Sequence, residues 1–361
     1  MKKLKIAQLV LPWLPLPPPG YAGTERVVYN LTEGLVKKGH DVTLFSVGES
    51  RTTGKLKYIL PKALNLQVDV MGMQKTSFLP LMHVANCFEM HQDFDIIHSH
   101  AQFLGLPFAA ITKTPSVHTF HRVFEFKLSD ERELVLRYGR LHFTSISSAQ
   151  RISGINFIAT VYNGTDVNLY RPGSFVKRDH LFWAGRLIEK KGPEEAIQVA
   201  KKLEIPLLMA GEITEPEYYE NKIKPHVDGK FIRLIEEITP EEIISLYRDA
   251  LVTLVPIKWN EPFGLVPVES MACGTPVVAY ANGGVVETVI DGVTGYLVKE
   301  NVGVGGLAEK VKVIAQKSAV DYALMSQNCR DHIVTNFSVE KMVADYEKVY
   351  FRLIDEFNHR T

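Results

Sequence analysis

The sequence predicts an α/β protein made of two consecutive parallel-sheet domains. Short β-branched or apolar runs alternate with amphipathic stretches, and the alternation comes in two series separated by a turn-rich segment. The chain has 361 residues, and at roughly 100–200 residues per domain this leaves room for two separate cores.

In the first series, residues 6–10 read as a strand. Residues 25–38 read as a helix, with Val27, Val28, Leu31, Leu35 and Val36 at helical spacing and Gly39 as its stop. Strands follow at 42–47, 96–98, 116–119 and 143–147, with helical segments between them. The second series has strands at 181–184, 206–210, 230–234, 252–256, 277–280 and 295–298, with helices at 193–203 and 240–248. Between the series, Asn163-Gly164-Thr165-Asp166 runs on to Arg171-Pro172-Gly173-Ser174, a composition suited to a linker. This sets a boundary near residue 175 and domains of 1–175 and 176–336. Residues 339–357 form one amphipathic helix, with Met342, Tyr346, Val349, Tyr350, Leu353 and Phe357 as its stripe. Each series has β-α-β organisation and is therefore Rossmann-like. Two such halves place a ligand in a cleft, at the carboxyl ends of the strands.

Composition narrows the partners. Lys+Arg and Asp+Glu both number 41, so net charge is zero. Bulk charge therefore carries no footprint for nucleic acid. Cys87, Cys273 and Cys329 are far apart and show no metal-type spacing, which suits a reducing cytoplasm. Met1-Lys2-Lys3 before apolar residues imitates a secretion signal. Lys5, the proline-rich stretch Pro12–Pro19 and the lack of a small-residue cleavage site favour a buried first strand instead. No apolar run reaches the roughly 18 residues that span a bilayer, although peripheral membrane contact stays open.

Three loops carry the chemistry. Trp259-Asn260-Glu261-Pro262-Phe263-Gly264-Leu265-Val266-Pro267-Val268-Glu269 follows a buried strand, and a helix is expected from about Gly264 to Ala272. The free amides of its first turn suit an anion, and Gly264 allows close approach. Glu261 before the helix and Glu269 two turns along it can accept hydrogen bonds from hydroxyls. By spacing alone, two solvated glutamates explain the pattern equally well. Trp183-Ala184-Gly185-Arg186-Leu187-Ile188-Glu189-Lys190-Lys191-Gly192 turns from strand to helix, and Arg186 and Lys191 could converge on a diphosphate. By itself it is also an ordinary basic loop. The third loop, Pro17-Pro18-Pro19-Gly20-Tyr21-Ala22-Gly23-Thr24-Glu25, leads into the first helix. Gly23 offers backbone amides there, and Thr24 is a natural N-cap.

Histidines cluster in Asp95-Ile96-Ile97-His98-Ser99-His100 and His118-Thr119-Phe120-His121. Pairs two apart on a strand face the same way without needing an ion, so a metal site is not expected. Asp93-Phe94-Asp95 simply precedes a strand, and Gly303-x-Gly305-Gly306 lacks the context of a dinucleotide fingerprint.

The Glu261–Glu269 stretch resembles the E-x7-E motif of retaining glycosyltransferase family 4. So does its continuation through Gly274-Thr275-Pro276, Gly283-Gly284, Glu287 and Asp291-Gly292. Gly185-Arg186-Leu187 to Lys191-Gly192 matches the family's G-R-L-x-x-x-K-G diphosphate motif, and Asn163-Gly164-Thr165-Asp166 resembles its N-G-[IV]-D segment. Ala22-Gly23 stands where the family usually has Gly-Gly, and Glu236 where it often has glycine, which leaves the base open.

The resemblance covers nearly the whole chain. It implies a GT-B fold of two Rossmann-like domains with a central cleft, with residues 337–361 as a terminal helix returning to the first domain. It further implies a nucleotide-diphosphate-sugar donor, with no cofactor and no metal. The diphosphate would be held by Gly23, Arg186, Lys191 and the backbone around Phe263, Gly264 and Leu265. Glu269 would hold the ribose and Glu261 the sugar, with His118 beside it. The acceptor, a carbohydrate, lipid or small molecule, is not readable. The rival readings are a GT-B enzyme of other chemistry, such as an epimerase or a phosphorylase, and a non-catalytic nucleotide-sugar-binding protein. The E-x7-E context argues against an epimerase. The short chain argues against a phosphorylase, and the intact set of site residues argues against a mere binder.

Overall fold

The computed structural model describes residues 2–20, 22–66, 68–124, 129–173, 178–236 and 238–359. The chain packs as two units, Met1–Gly164 with Val339–Thr361, and Thr165–Ser338.

The first unit runs β1 (Lys5–Leu9), α1 (Gly23–Lys37), β2 (Asp41–Phe45), β3 (Lys55–Lys57), α2 (Val68–Glu89), β4 (Ile96–Ser99), α3 (Leu106–Ile111), β5 (Ser116–Thr119), α4 (Ser129–Arg137), β6 (His142–Ser145) and β7 (Phe157–Thr160). Its sheet has the order β3-β2-β1-β4-β5-β6-β7, and the pairs are parallel. The interior strands of this sheet carry buried polar side chains, among them Gln8, His98, Ser116, His118, Thr119 and Thr144. All of these but Ser116 lie in the carboxyl-terminal half of their strands, where polar groups are gathered.

Helix α1 buries Val27, Val28, Leu31 and Leu35 as the periodicity predicts, and Gly39, at φ 92°, ends it. Thr24 is not its N-cap. The helix already begins at Gly23, so the cap position falls on Ala22, which makes no side-chain cap bond.

The second unit runs β8 (Leu181–Ala184), α5 (Pro193–Leu203), β9 (Leu207–Ala210), a single turn α6 (Pro216–Tyr218), β10 (Ile232–Ile235), α7 (Pro240–Asp249), β11 (Val252–Val255), α8 (Leu265–Ala272), β12 (Val277–Tyr280), α9 (Val285–Thr288), β13 (Gly295–Val298), α10 (Gly303–Ala315) and α11 (Ala319–Asn336). Its parallel sheet is ordered β10-β9-β8-β11-β12-β13. Thr239 starts α7 with a reciprocal capping box to Glu242. Strand order reverses between β8 and β11, which pair directly. Loops leaving the carboxyl ends of two such strands define the ligand crevice of a doubly wound sheet. Those are the loops carrying Arg186–Lys191 and Glu261–Gly264.

The expected boundary near residue 175 falls on residues 174–177, outside those described. The division by packing lies earlier because the segment after Gly164 is tied to the second unit. Thr165 N–H donates to Phe337 O at 2.8 Å, and the Arg330 guanidinium donates to the carbonyls of Val167 and Tyr170 at 2.6 Å each.

The terminal helix α12 (Val339–Asn358) belongs to the first unit. It buries Met342, Val343, Tyr346, Val349, Tyr350, Leu353 and Ile354. Gly34 of α1 lets it approach, since a Cβ there would overlap the Val343 side chain. Glu347 of α12 also accepts from Lys38 Nζ at 3.2 Å and lies 3.0 Å from His40 Nε2.

Candidate active site

In the second unit the chain leaves β8 into a turn held by backbone bonds. Gly185 N–H donates to Ala210 O at 3.0 Å and Leu187 N–H to Glu212 O at 2.9 Å. Trp183, buried in β8, donates its indole N–H to Lys191 O at 3.2 Å. Gly192 follows at φ 69°, and a Cβ there would collide with Pro256 O, so the turn is pressed against the end of β11. Lys258 N–H completes the seam by donating to Lys190 O at 2.9 Å. The two loops are thus one rigid surface.

On that surface Lys191 Nζ lies 2.9 and 2.8 Å from the two carboxylate oxygens of Glu261. Their side chains are 18% and 14% exposed, so the pair is largely withdrawn from solvent yet still reachable. The Trp259 ring flanks it, 5.7 Å from Lys191 Nζ. The Glu261 backbone is clamped from the other side: Gly284 N–H donates to Glu261 O at 2.7 Å, and Gly283 sits where a Cβ would strike the Glu261 backbone. Arg186, on the same turn, is exposed and forms no ion pair among the described residues. It is a fork of donors available to a ligand anion.

Gly264 takes φ 95° and is the N-cap of α8, as its place in the motif predicts. The amides of the first turn of α8, including that of half-buried Leu265, therefore face away from intrahelical partners. Phe263 is 2% exposed and its ring packs 5.9 Å from that of Phe337, so its side chain belongs to the core and its backbone alone can meet a ligand. Glu269 is also 2% exposed, and its Oε2 accepts from the Tyr247 hydroxyl at 3.0 Å. It is not a solvated glutamate. Tyr247, which sequence reasoning missed, positions it. A tyrosine on a separate helix gives no local signal of this.

In the first unit Gly23 opens α1 and is half-buried, with its backbone at the helix start. His118 lies inside β5 and is 1% exposed. Its Nε2 is 3.2 Å from Ser116 Oγ, its ring lies against Phe143, and burial pushes its pKa down to about 3. His121 lies past the end of β5 and keeps part of its surface open. Its Nε2 is 2.9 Å from His100 Nδ1. Its Nδ1 is itself withdrawn from solvent and has no hydrogen-bond partner among the described residues, and burial pushes its pKa down to about 4. Both rings are neutral at pH 7. His118 and His121 stand in one sequence cluster, and the strand end separates them into a core side chain and a surface one. Among the described residues no group of three or more His, Cys, Asp or Glu is placed to hold a metal ion. No helix among them is long and apolar enough to cross a membrane.

Two Rossmann-like units, a terminal helix packed on the first and an anion-directed crevice in the second define a GT-B protein. The family model "Glycosyltransferase Family 4" matches residues 21–169, and "Glycosyl transferases group 1" matches residues 171–330. The chain belongs to the group 1 glycosyltransferases and is a glycosyltransferase that uses a nucleotide-sugar donor. It is 26% identical over 356 residues to a D-inositol 3-phosphate glycosyltransferase of Corynebacterium aurimucosum, covering 82% of this chain and 84% of that protein. Two solved structures share the fold. AviGT4, a glycosyltransferase involved in avilamycin A biosynthesis, has a TM-score of 0.70 at 23% identity, with 98% of each chain covered. HepE of Anabaena, solved in complex with UDP-glucose, has a TM-score of 0.73 at 19% identity, with 96% of this chain and 99% of that one covered.

Proposed function

We propose that this enzyme transfers a sugar from a nucleoside-diphosphate donor to an acceptor hydroxyl with retention of anomeric configuration, without a metal ion or cofactor. The observation that carries this reading is the Lys191–Glu261 pair at the mouth of α8, with Arg186 beside it. Lys191, Arg186 and the Gly264–Leu265 amides supply the positive potential that a departing diphosphate needs, the role a metal ion fills elsewhere. Glu261 accepts from hydroxyls of the transferred sugar, and Glu269, held by Tyr247, from the ribose. Both His118 and His121 keep a buried Nδ1 with no partner among the described residues, but His118 is 1% exposed inside β5 whereas His121 is half-buried past its end, so the contact with the sugar expected of His118 suits His121 better.

In the reaction the bond from the anomeric carbon to the β-phosphate oxygen breaks and a bond to the acceptor oxygen forms on the same face. The acceptor's proton passes to the departing phosphate oxygen. No protein base is then required.

The name of the Corynebacterium relative makes D-inositol 3-phosphate the first acceptor to test, and the HepE complex makes UDP-glucose the first donor. A cytoplasmic location, expected from the three widely spaced cysteines, is part of this reading, with contact at a membrane surface depending on the acceptor. NMR of the product's anomeric proton tests the mechanism: retention is expected, and inversion would overturn it. Conversion of the sugar nucleotide without any acceptor would favour an epimerase instead.

A further inference from the structure

At the carboxyl end of the first unit's sheet lies a continuous chain of buried polar groups that no step above uses. Tyr350 of α12 reaches the sheet interior, where its hydroxyl is 2.6 Å from His98 Nδ1 and accepts from Gln8 Nε2 at 3.1 Å. The other end of the Gln8 amide, Oε1, is 3.0 Å from His100 Nε2, and His100 Nδ1 is 2.9 Å from His121 Nε2. On the far side His98 Nε2 meets Thr119 Oγ1 at 2.7 Å, which in turn meets Tyr346 at 3.1 Å. Gln8, His98 and Tyr350 are fully buried and His100 is 2% exposed.

Burial and the neighbouring rings hold His98 and His100 well below the usual histidine range, so each is neutral with one donor and one acceptor nitrogen. Such a chain has two self-consistent polarities, and the Gln8 amide selects between them. With Oε1 toward His100, His100 must donate from Nε2 and accept at Nδ1. His121 then carries its proton on Nε2 and leaves Nδ1 bare. With the amide reversed, each proton moves to the opposite nitrogen. The distances choose the first polarity. A contact of 2.6 Å suits O–H donation by Tyr350 to His98, and 3.1 Å suits N–H donation by Gln8 to Tyr350.

We infer that Tyr350, Gln8 and His100 are positioning residues that lock His121 in the Nε2–H tautomer, so that its bare Nδ1, a buried acceptor with no partner among the described residues, is the atom left to take a hydrogen bond from a hydroxyl of a bound sugar or acceptor. The hydroxyl contact rests on the transferase reading above, whereas the tautomer does not. The terminal helix thereby does more than cover the first unit: it sets the proton on the ring next to the substrate.

Two-bond 1H–15N correlation spectra of histidine-labelled protein at neutral pH distinguish bare from protonated ring nitrogens, and a His121→Gln spectrum assigns the signals. The expected result is a bare Nδ1 on His121. Tyr350→Phe and Gln8→Leu free the polarity, so His121 should become a tautomer mixture and kcat should fall roughly tenfold with the donor KM unchanged. A protonated Nδ1 in the unaltered protein would overturn the inference, and so would a His121 that stays purely Nε2–H in Gln8→Leu. If those variants do not fold, the unaltered spectrum still decides. A correct tautomer combined with full activity in His121→Ala would leave the relay standing and remove the sugar contact alone.

Discussion

Lys191 spans both carboxylate oxygens of Glu261, at 2.9 and 2.8 Å, in a setting where neither side chain is more than 18% exposed. The two residues come from different loops, at the ends of β8 and β11. Sequence motifs assign one to phosphate and the other to sugar. The structure makes them a single unit, so on the proposed reading a hydroxyl that bonds Glu261 would do so beside the cation that serves the leaving group.

Removing one partner should expose this coupling. Lys191→Met leaves a largely buried carboxylate unpaired and is expected to cost about 1–3 kcal/mol of stability. Transfer should fall by at least about 100-fold, because charge stabilisation at the leaving group is lost. The double variant Lys191→Met with Glu261→Gln should regain most of the stability and none of the activity. Urea melts and initial rates measure both. Near-normal turnover in the single variant would take Lys191 out of the site.

Gly283 is a second handle on Glu261. It sits at φ 58°, and a Cβ there would strike the Glu261 backbone. Gly283→Ala should therefore displace Glu261 and lower kcat/KM by at least about tenfold, since roughly an ångström of misplacement is costly at a reacting centre. Gly229→Ala is the matched comparison. Its φ is 72° but nothing lies within 4 Å of the added methyl, so it should lose about 1–2 kcal/mol to backbone strain and keep full activity.

The Tyr247–Glu269 hydrogen bond gives a way to test which part of the donor Glu269 serves. Tyr247→Phe removes the Tyr247 donor to Glu269 Oε2 and should cost about 1–2 kcal/mol, the order of magnitude expected for loss of a buried hydrogen bond to a charged group. If Glu269 serves the ribose, calorimetry should show UDP and UDP-glucose weakened equally in this variant and in Glu269→Gln. Weakening confined to UDP-glucose would move Glu269 to the sugar.

The buried histidines predict acid lability of the first unit. His83, His98, His100, His118 and His121 all have pKa values lowered by burial, to about 3 for His118 and about 4 for His121. In the unfolded chain each binds a proton near the ordinary value of 6.5. Below that pH the unfolded state takes up protons that the folded state refuses. Stability is therefore full above 6.5 and is lost as pH falls toward 4. Each such histidine contributes a slope of about 1.4 kcal/mol per pH unit. In the second unit, His332 is also lowered by burial. Fluorescence or circular dichroism melts between pH 7 and 4 should show the first unit failing first. His118→Gln should shallow the slope. A flat profile over that window would show these rings to be hydrated.

The sequence by itself determined the interior strands of the two parallel sheets, the starts of α5, α7 and α8, and the donor-side motif, but not the edge strands β3 and β7 or the start of α1. These rest on local chemistry: hydrophobic period, a glycine that alone takes φ 95° comfortably at position 264, and a basic turn after a buried strand. Tertiary structure decided what spacing cannot express. It turned Phe263 into the core, tied Glu269 to Tyr247 and joined Lys191 to Glu261. It assigned residues 165–173 to the second unit through Arg330, whose partners lie some 160 positions earlier. It also divided two histidines three positions apart. His118 falls within β5, paired on both sides by β4 and β6, while His121 lies two positions past the carboxyl end of β5 and meets His100. Local pattern records which residue types are present. Which nitrogen is free and which carboxylate is held depends on side chains brought together from distant parts of the chain, and folding alone supplies those partners.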